Sequence, residues 1–185
     1  MSATSTTEIN SDRGILEAFN GSGLNGTGDI LSQTHDGGAE NTHWLSETTD
    51  ETVTIDLGGG TAFDVDTIYL WAYNRPESSR GVKTFDIAFS TDGGSSFGTA
   101  VSASSLGLSN FAEGGNNANT QSSVQTRTIT RQTGVTDIQL TSITNWGASD
   151  RIAIAEMRFG DSVPEPSAAL LIGAVGALFI LRRRR

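Results

Sequence analysis

The apolar residues of this chain alternate with polar ones, and this pattern limits the fold more than any other feature of the sequence. In the stretch TVTIDLG, Val53, Ile55 and Leu57 fall on one side, and threonine and aspartate fall on the other. A period of two residues is typical of a half-buried β-strand, whereas a helix needs a period near 3.6. Before the C-terminal tail, no segment keeps a helical period over three turns. The sequence therefore predicts an all-β fold.

Further segments have the composition or the alternation of strands. Phe85, Ile87 and Phe89 alternate within KTFDIAFS, and the TDGGSS that follows has the residues of a turn. Many short strands separated by turns predict a β-sandwich or a barrel. The other predicted strands cover residues 67–73, 96–102, 126–130, 135–143 and 151–159, and a long surface loop is predicted over 106–125.

The last predicted strand changes face part-way along. Ile152 and Ile154 share one face, whereas Met157 and Phe159 fall on the other. A bulge at residues 155–156 would return the later pair to the core and would redirect backbone carbonyls towards a ligand. The alternative is a strand that is partly buried on both faces and binds nothing.

Cysteine is absent, which excludes disulfides and zinc–thiolate sites. The fold must therefore be stabilised by its core, with or without a bound metal ion. Without the tail's four arginines and one glutamate, the body carries 8 basic and 20 acidic residues, a formal charge of −12. Such a body repels nucleic-acid phosphates, so we expect no nucleic-acid partner. Acidity that only keeps the protein soluble is an equal explanation of the charge.

The C-terminal tail differs sharply from the body. Residues 168–181 form a run of 14 apolar positions. As a helix this run covers roughly 21 Å, which is short for a bilayer that needs about 20 residues. The run is followed by Arg182, Arg183, Arg184 and Arg185. Arginines at this position favour the cytoplasmic side of a membrane, and they fit poorly with the alternative of a buried core helix.

The order of Pro164, Glu165 and Pro166, an apolar run and terminal arginines resembles the PEP-CTERM sorting signal of Gram-negative bacteria. The resemblance implies export, transient insertion into the inner membrane and processing by an exosortase. Delivery to the cell surface or an extracellular polysaccharide matrix would follow. The start of the chain lacks the apolar stretch of a signal peptide, so we expect either a truncated start or another export route.

Four motifs of the body, in order, resemble the discoidin, or coagulation-factor C-type, domain. They are THDGGAENTHWLSE, TVTIDLG, RGVKTFDIAFSTDGGSSF and NWGASDRIAIAEMRFG, and they lie between Gly21 and Gly160. The resemblance implies a galactose-binding-like jelly roll, which is an antiparallel β-sandwich with binding loops at one end. Because many bacterial members bind carbohydrate, it also implies a glycan ligand. We predict a polar N-terminal segment over 1–12, the sandwich over 13–161 and the sorting signal, with a short transmembrane helix, over 162–185.

The same resemblance implies a structural calcium ion beside the Asp-Gly loop. The positions that match the family's oxygen ligands are Asp36, Thr42, Ala155 through its carbonyl, and Glu156. Calcium binds oxygen ligands of these kinds together. The alternative is that Asp36 only forms a turn and Glu156 is solvated. His35 and His43 flank the loop, but nothing nearby completes a set of zinc ligands.

The stretch YLWAYNRPESSRGVK combines aromatic, amide and arginine side chains at a predicted strand end. Aromatic faces contact the apolar side of sugar rings, and asparagine and arginine donate hydrogen bonds to hydroxyls. The predicted glycan ligands are Trp71, Tyr73, Asn74, Arg75 and Arg80. The alternative is that the two aromatic residues belong to the core and the arginines pair with nearby acids. Trp146 would either add to this site or fill the sandwich.

Motifs of catalysis are missing from the body. There is no cysteine nucleophile, no Gly-x-Ser-x-Gly elbow, no HExxH and no phosphate-binding glycine loop. We therefore expect a non-catalytic module that binds carbohydrate outside the cell. One alternative is a structural matrix or adhesion protein without a sugar site. The other, ranked behind it, is an enzyme that acts on polysaccharide.

Overall fold

The structure is a computed structural model that describes residues 1–36, 41–102, 110–115 and 121–161. Within these ranges the chain forms twelve β-strands and four short 3₁₀ turns. None of the helices found there is long and apolar enough to cross a membrane. The 3₁₀ turns cover Ser11–Arg13, Ile15–Ala18, Ile30–Ser32 and Ser78–Arg80. The predicted all-β fold is confirmed.

The strands form two five-stranded antiparallel sheets and one short two-stranded pair. Their bounds are β1 Ser2–Ser5, β2 Leu24–Asn25, β3 Thr34–His35, β4 Trp44–Leu45, β5 Val53–Asp56, β6 Phe63–Trp71, β7 Val82–Ser90, β8 Val101–Ser102, β9 Ser122–Val135, β10 Asp137–Asn145, β11 Ala153–Ile154 and β12 Glu156–Gly160. The first sheet has the order β1-β5-β10-β7-β8, and the second has the order β12-β6-β9-β3-β2. β11 pairs with β4.

The core lies between the two sheets, where the alternating apolar residues of both meet. Ile55 of β5 and Ile138 of β10 are opposite each other in the first sheet, and both are fully buried. Ile68 of β6 and Met157 of β12 belong to the same buried cluster from the second sheet. Burial of each such side chain stabilises the fold by about 1.5–3 kcal/mol, so the core can hold this domain without disulfides.

The N-terminal segment belongs to the sandwich, contrary to the division predicted at residue 13. β1 pairs with β5 along its whole length, from Ser2 opposite Asp56 to Ser5 opposite Val53. Beyond the strand, the buried carboxylate of Glu51 accepts hydrogen bonds from the backbone N–H and the hydroxyl of Thr7. The segment is polar because it is an edge strand with one face in water. It is therefore structured although it contributes little to the core.

The change of face in the last strand is present as a bend at Ala155. Ile154 pairs with Trp44 in the short sheet, and Glu156 pairs with Trp71 in the second sheet. The chain thus passes from one sheet to another at this residue. Ile154 and Met157 are both buried as a result.

Two other strand predictions differ from the structure in their bounds. The strand predicted over 96–102 is reduced to the two residues of β8. The strand predicted over 126–130 extends from Ser122 to Val135, so the end of the predicted surface loop is β-structure. Residues 103–109 and 116–120 of that loop lie outside the described residues.

Strand direction gives the sandwich two distinct ends. β10 ends at Asn145 beside Val82, where β7 begins, so the loops that follow β6 and β10 meet at one end. β12 runs antiparallel to β6, from Glu156 beside Trp71 to Gly160 beside Thr67. The chain therefore leaves the body at the end where β6 starts.

Candidate functional site

Three segments meet at the end of the sandwich where β6 and β10 finish. They are residues 72–81, 110–115 and 146–152, which we call the rim. A parallel bridge between Gly81 and Ala153 joins the first segment to β11. The backbone N–H of Phe111 donates to the carbonyl of Lys83 at 2.9 Å, which attaches the second segment to β7. Loop residues on a rigid β-scaffold are a common setting for binding sites.

Asn145 fixes the shape of the loop that follows β10. Its amide nitrogen donates to the carbonyls of Ala148 at 2.9 Å and Arg151 at 2.8 Å. Its amide oxygen accepts from the N–H of Gly147 at 2.9 Å. Gly147 has a φ of 112°, which a residue with a Cβ rarely adopts. The side chain thus holds Trp146 in a defined position.

Trp146 is the half-buried aromatic residue of the rim. Its backbone N–H donates to the carbonyl of Ser79 at 2.9 Å, so two rim segments are joined. The ammonium group of Lys83 lies 4.9 Å from the centroid of the indole ring. This distance is within the range of a cation–π contact. The Nε1 donor of Trp146 is buried, and no acceptor among the described residues lies within hydrogen-bond reach.

Arg80 forms an ion pair across the rim. Its Nη2 donates to Asp150 at 2.6 Å and its Nε donates to the same carboxylate at 3.3 Å. Glu77 is 3.6 Å from Nη1. The hydrogen bond from Arg80 lowers the pKa of Asp150, and the same bond raises the pKa of Arg80. This pair holds the first and third rim segments together.

The rim segment 110–115 packs closely against the rim segment 72–81. The hydroxyl of Ser78 donates to Glu113 at 2.8 Å. A Cβ on Gly114 would be 1.9 Å from the carbonyl oxygen of Tyr73, so only glycine permits this approach. On the other side, Gln125 of β9 accepts from the N–H of Ala112 and donates to its carbonyl. The segment is therefore held from both sides.

The structure does not expose the rings of the two aromatic residues predicted to contact a glycan. Trp71 is 0% exposed, and its Nε1 donates to the carbonyl of Gln33 at 3.0 Å. Tyr73 is 3% exposed and contacts the ring of His43, and burial raises its pKa. These are the placements expected of core aromatics. Neither ring can stack on a sugar unless the loops over it move.

The other predicted glycan ligands share the rim but differ in exposure. Asn74 is buried, whereas Arg75 and Arg80 are half-buried. Sequence reasoning missed Lys83 and Asp150, which complete the surroundings of Trp146 and Arg80. Lys83 could have been found as a polar position of an alternating strand. The partnership of Arg80 and Asp150 joins residues 70 apart in sequence, and no local pattern reports it.

The predicted calcium ligands lie around the short loop from Gly21 to Gly23. The N–H of Asp36 donates to the carbonyl of Gly23 at 2.8 Å, and the N–H of Gly21 donates to Glu156 at 3.1 Å. Thr42 is buried, and its carbonyl accepts from Nε2 of His35 at 2.8 Å. Burial is the main reason that the pKa of His35 is lowered. The loop from Gly21 to Gly23 thus lies between Asp36 and Glu156 and contacts both.

The carboxylate of Glu156, one of the predicted calcium ligands, is bound by protein groups. Glu156 is 0% exposed, and Arg158 donates to its Oε1 at 2.5 Å, so a cationic group already neutralises the carboxylate. Burial raises the pKa of Glu156 to about 7, against the opposing effect of Arg158. Among the described residues, which omit 37–40, no three histidine or acidic side chains are grouped to hold a metal. Calcium therefore stays a prediction of the resemblance.

A pair of carboxylates lies at the other end of the sandwich. Asp64 and Asp161 line one groove there, and both accept hydrogen bonds from Arg131. The hydrogen bond from Arg131 lowers the pKa of Asp64. A general acid for glycoside cleavage needs a raised pKa instead. This pair gives no support to catalysis.

Sequence comparison places the body in a known family. The F5/8 type C domain model matches residues 6–157, which is most of the chain. The chain belongs to the F5/8 type C family. The PEP-CTERM protein-sorting motif matches residues 162–185. No curated protein matches the sequence.

Solved structures similar to this member of the F5/8 type C family confirm the fold. CpGH89CBM32-5 from Clostridium perfringens, in complex with GalNAc-β-1,3-galactose, is 19% identical with a TM-score of 0.52, over 86% of this chain and 94% of its own. Chitosan-binding module 1 from the chitosanase/glucanase of Paenibacillus sp. IK-5 is 15% identical with a TM-score of 0.51, over 86% and 94%. The lectin domain of lectinolysin, complexed with Lewis B antigen, is 11% identical with a TM-score of 0.53, over 88% and 93%.

The sorting motif bears on localisation. Its presence implies an exported protein that is processed at a membrane by an exosortase. The motif residues Pro164, Glu165 and Pro166 and the four terminal arginines lie outside the described residues, as does the predicted transmembrane helix.

Proposed function

We propose that this protein is a non-catalytic carbohydrate-binding module, displayed at the surface or in the extracellular polysaccharide matrix of a Gram-negative bacterium. Its membership of the F5/8 type C family supports the binding role. Similar folds were solved with GalNAc-β-1,3-galactose and with Lewis B antigen bound. The sorting motif supports delivery outside the cell.

The glycan site that we propose is centred on Trp146. The observation that carries it is the placement of this half-buried indole where the three rim segments meet, whereas Trp71 and Tyr73 are buried. Because the indole is only half-buried, the exposed part of its ring could contact the apolar face of a sugar. Arg75 lies on the same rim and would donate to a further hydroxyl. Arg80 and Asp150 position the loops.

A glycan array with the full chain in detergent micelles tests the proposal. We expect Trp146→Ala to weaken binding at least tenfold, because a central aromatic contact is commonly worth 2 kcal/mol or more and 1.4 kcal/mol is a factor of ten. Arg75→Ala should weaken binding by a smaller factor. Phe63→Ala is the matched control, since it removes an exposed ring at the opposite end. Binding that survives in Trp146→Ala would remove the site, and a silent array would count against the function.

The second candidate function is a structural or adhesive module without a sugar site. It is favoured by one observation, which is that two cations at this end of the sandwich already have partners. Arg80 is paired with Asp150, and Lys83 lies over the ring of Trp146. A silent glycan array, together with binding to other matrix proteins that Trp146→Ala abolishes, would support this function instead.

A further inference from the structure

An apolar groove lies at the end of the sandwich opposite the rim. It has a volume of about 560 Å³, and its apolar lining includes Leu57, Phe63, Val65 and Phe159. Phe63 is 43% exposed. Single exposed apolar residues are common on soluble proteins, so Phe63 is informative only through the groove that it borders.

The groove lies where the chain leaves the folded body. Asp161, the last described residue, forms part of its lining. β6 runs from Phe63 to Trp71 over nine residues, which is about 27 Å of strand. The rim begins directly after Trp71. The groove and the candidate glycan site are therefore separated by about the length of the sandwich.

The chain beyond the groove is short. Six residues, 162–167, lie between Asp161 and Ala168, where the apolar run of the sorting motif begins. Fully extended, that connection spans at most about 24 Å. While the motif is in a membrane, the groove must therefore stay close to the lipid surface.

The two acidic groups beside the groove share one cationic partner. Arg131 donates to Asp161 at 2.8 and 2.9 Å and to Asp64 at 2.8 Å. The body as a whole carries a formal charge of −12 before the tail, and unpaired carboxylates would be repelled by anionic lipid. Pairing by Arg131 removes part of that repulsion at the end that faces the membrane.

We infer that this groove is a lipid-contact surface, by which the unprocessed protein rests on the phospholipid bilayer that holds its tail, with Phe63 at the interface and the rim directed away from the membrane. Phenylalanine is among the residues that insert an apolar side chain at the boundary between headgroups and acyl chains. The inference depends on the sorting motif and not on the rim's being a glycan site.

Site-specific labels test the inference without interference, because the native chain has no cysteine. The full chain is reconstituted in vesicles of phosphatidylethanolamine and phosphatidylglycerol with a headgroup spin-labelled lipid. A fluorophore is attached at Thr61→Cys beside the groove or at Ser149→Cys on the rim; both native residues are exposed. We expect strong quenching at position 61 and at least twofold less at position 149. Equal quenching, or stronger quenching at the rim, would overturn the orientation.

A second pair of variants separates contact by the groove from simple tethering by the tail. Phe63→Ser should reduce quenching at position 61, whereas Leu31→Ser should not. Leu31 is a comparably exposed apolar residue, at 58%, that does not line the groove. Unchanged quenching in Phe63→Ser would show that the tail alone sets the distance. If Phe63→Ser impairs processing in cells but leaves quenching unchanged, the groove binds a protein and not lipid. Either result overturns the lipid contact, and neither depends on glycan binding.

Discussion

At the scale of single residues, Glu156 joins the first loop to the last strand. Its carboxylate is fully buried and accepts from Gly21 on the first loop and from Arg158 on its own strand. Gly21 has a φ of 80°, and a Cβ there would lie 2.4 Å from Nη2 of Arg158. A side chain at this glycine would therefore displace the guanidinium. Gly21 thus depends on Glu156 and Arg158, two residues of a strand that lies 135 positions further along the chain.

Removal of the guanidinium should destabilise the fold. In Arg158→Met the carboxylate of Glu156 stays buried without a counter-ion, so we expect the free energy of unfolding to fall by roughly 2–4 kcal/mol. The double variant Glu156→Gln with Arg158→Met should recover much of this loss, because the buried group is then uncharged. Urea unfolding of both variants and the wild type measures the difference. Equal losses in the single and double variants would contradict the pairing.

At the scale of elements, the strands could be predicted where their pattern is local. The alternation of Val53 with Ile55, and of Phe85 with Ile87, places each pair in the core, and both pairs are buried. β1 could not be predicted, because its polar residues become a strand only by pairing with β5, some fifty positions away.

The candidate site was predicted less completely than the strands. The segment YLWAYNRPESSRGVK does form part of the rim, and Trp146 was recognised as a possible neighbour of it. The burial of Trp71 could not be read from the sequence, because it depends on a distant loop whose Gln33 carbonyl accepts from the indole. Contacts between loops are set by the tertiary fold, and local patterns do not record them.

The turn TDGGSS should make the free energy of unfolding depend on pH in the acid range. Asp92 accepts from the hydroxyls of Ser96 at 2.6 Å and Ser90 at 2.7 Å, and these bonds lower its pKa to about 2. A carboxyl with a lower pKa in the folded state contributes stability above its unfolded pKa, near 4, and loses it as pH falls towards 2. Unfolding measured in steps from pH 5 to pH 2 should show this loss.

The matched variants for this turn are Asp92→Asn and Asp50→Asn. Asp92→Asn should flatten the acid dependence, because the amide does not titrate. Asp50 is an exposed aspartate outside the turn, and its variant should keep the wild-type curve. Identical curves for the two variants would refute the assignment to Asp92.

At the scale of the whole molecule, this cysteine-free domain is stabilised by its core and by contacts between distant segments. The pairing of β1 with β5 and the contact of Gly21 with Glu156 attach the N-terminal part to the two sheets. Arg131 attaches the last described residue to β6 through Asp64. These contacts leave both the rim and the groove on the same sandwich.

Chelation tests whether a metal ion also stabilises the domain. An ion bound only to the folded state stabilises it by mass action, so its removal lowers the melting temperature. Because Arg158 occupies the carboxylate of Glu156, we expect the melting temperature to stay the same when calcium is replaced by a chelator. Elemental analysis of the purified protein is the accompanying measurement. A fall of several degrees, with calcium present at one ion per chain, would establish the site that the family resemblance implies.

The course of β12 has a mechanical consequence for a protein held at one end and loaded at the other. A pull on the tail acts along this strand, away from Trp71, and the load on a glycan at the rim acts in the opposite direction. The ladder between β12 and β6, from Glu156 opposite Trp71 to Gly160 opposite Thr67, is then strained in shear. Its hydrogen bonds must break together, not one after another as in peeling. The direction of this short strand would thus allow the domain to resist flow while it links two surfaces.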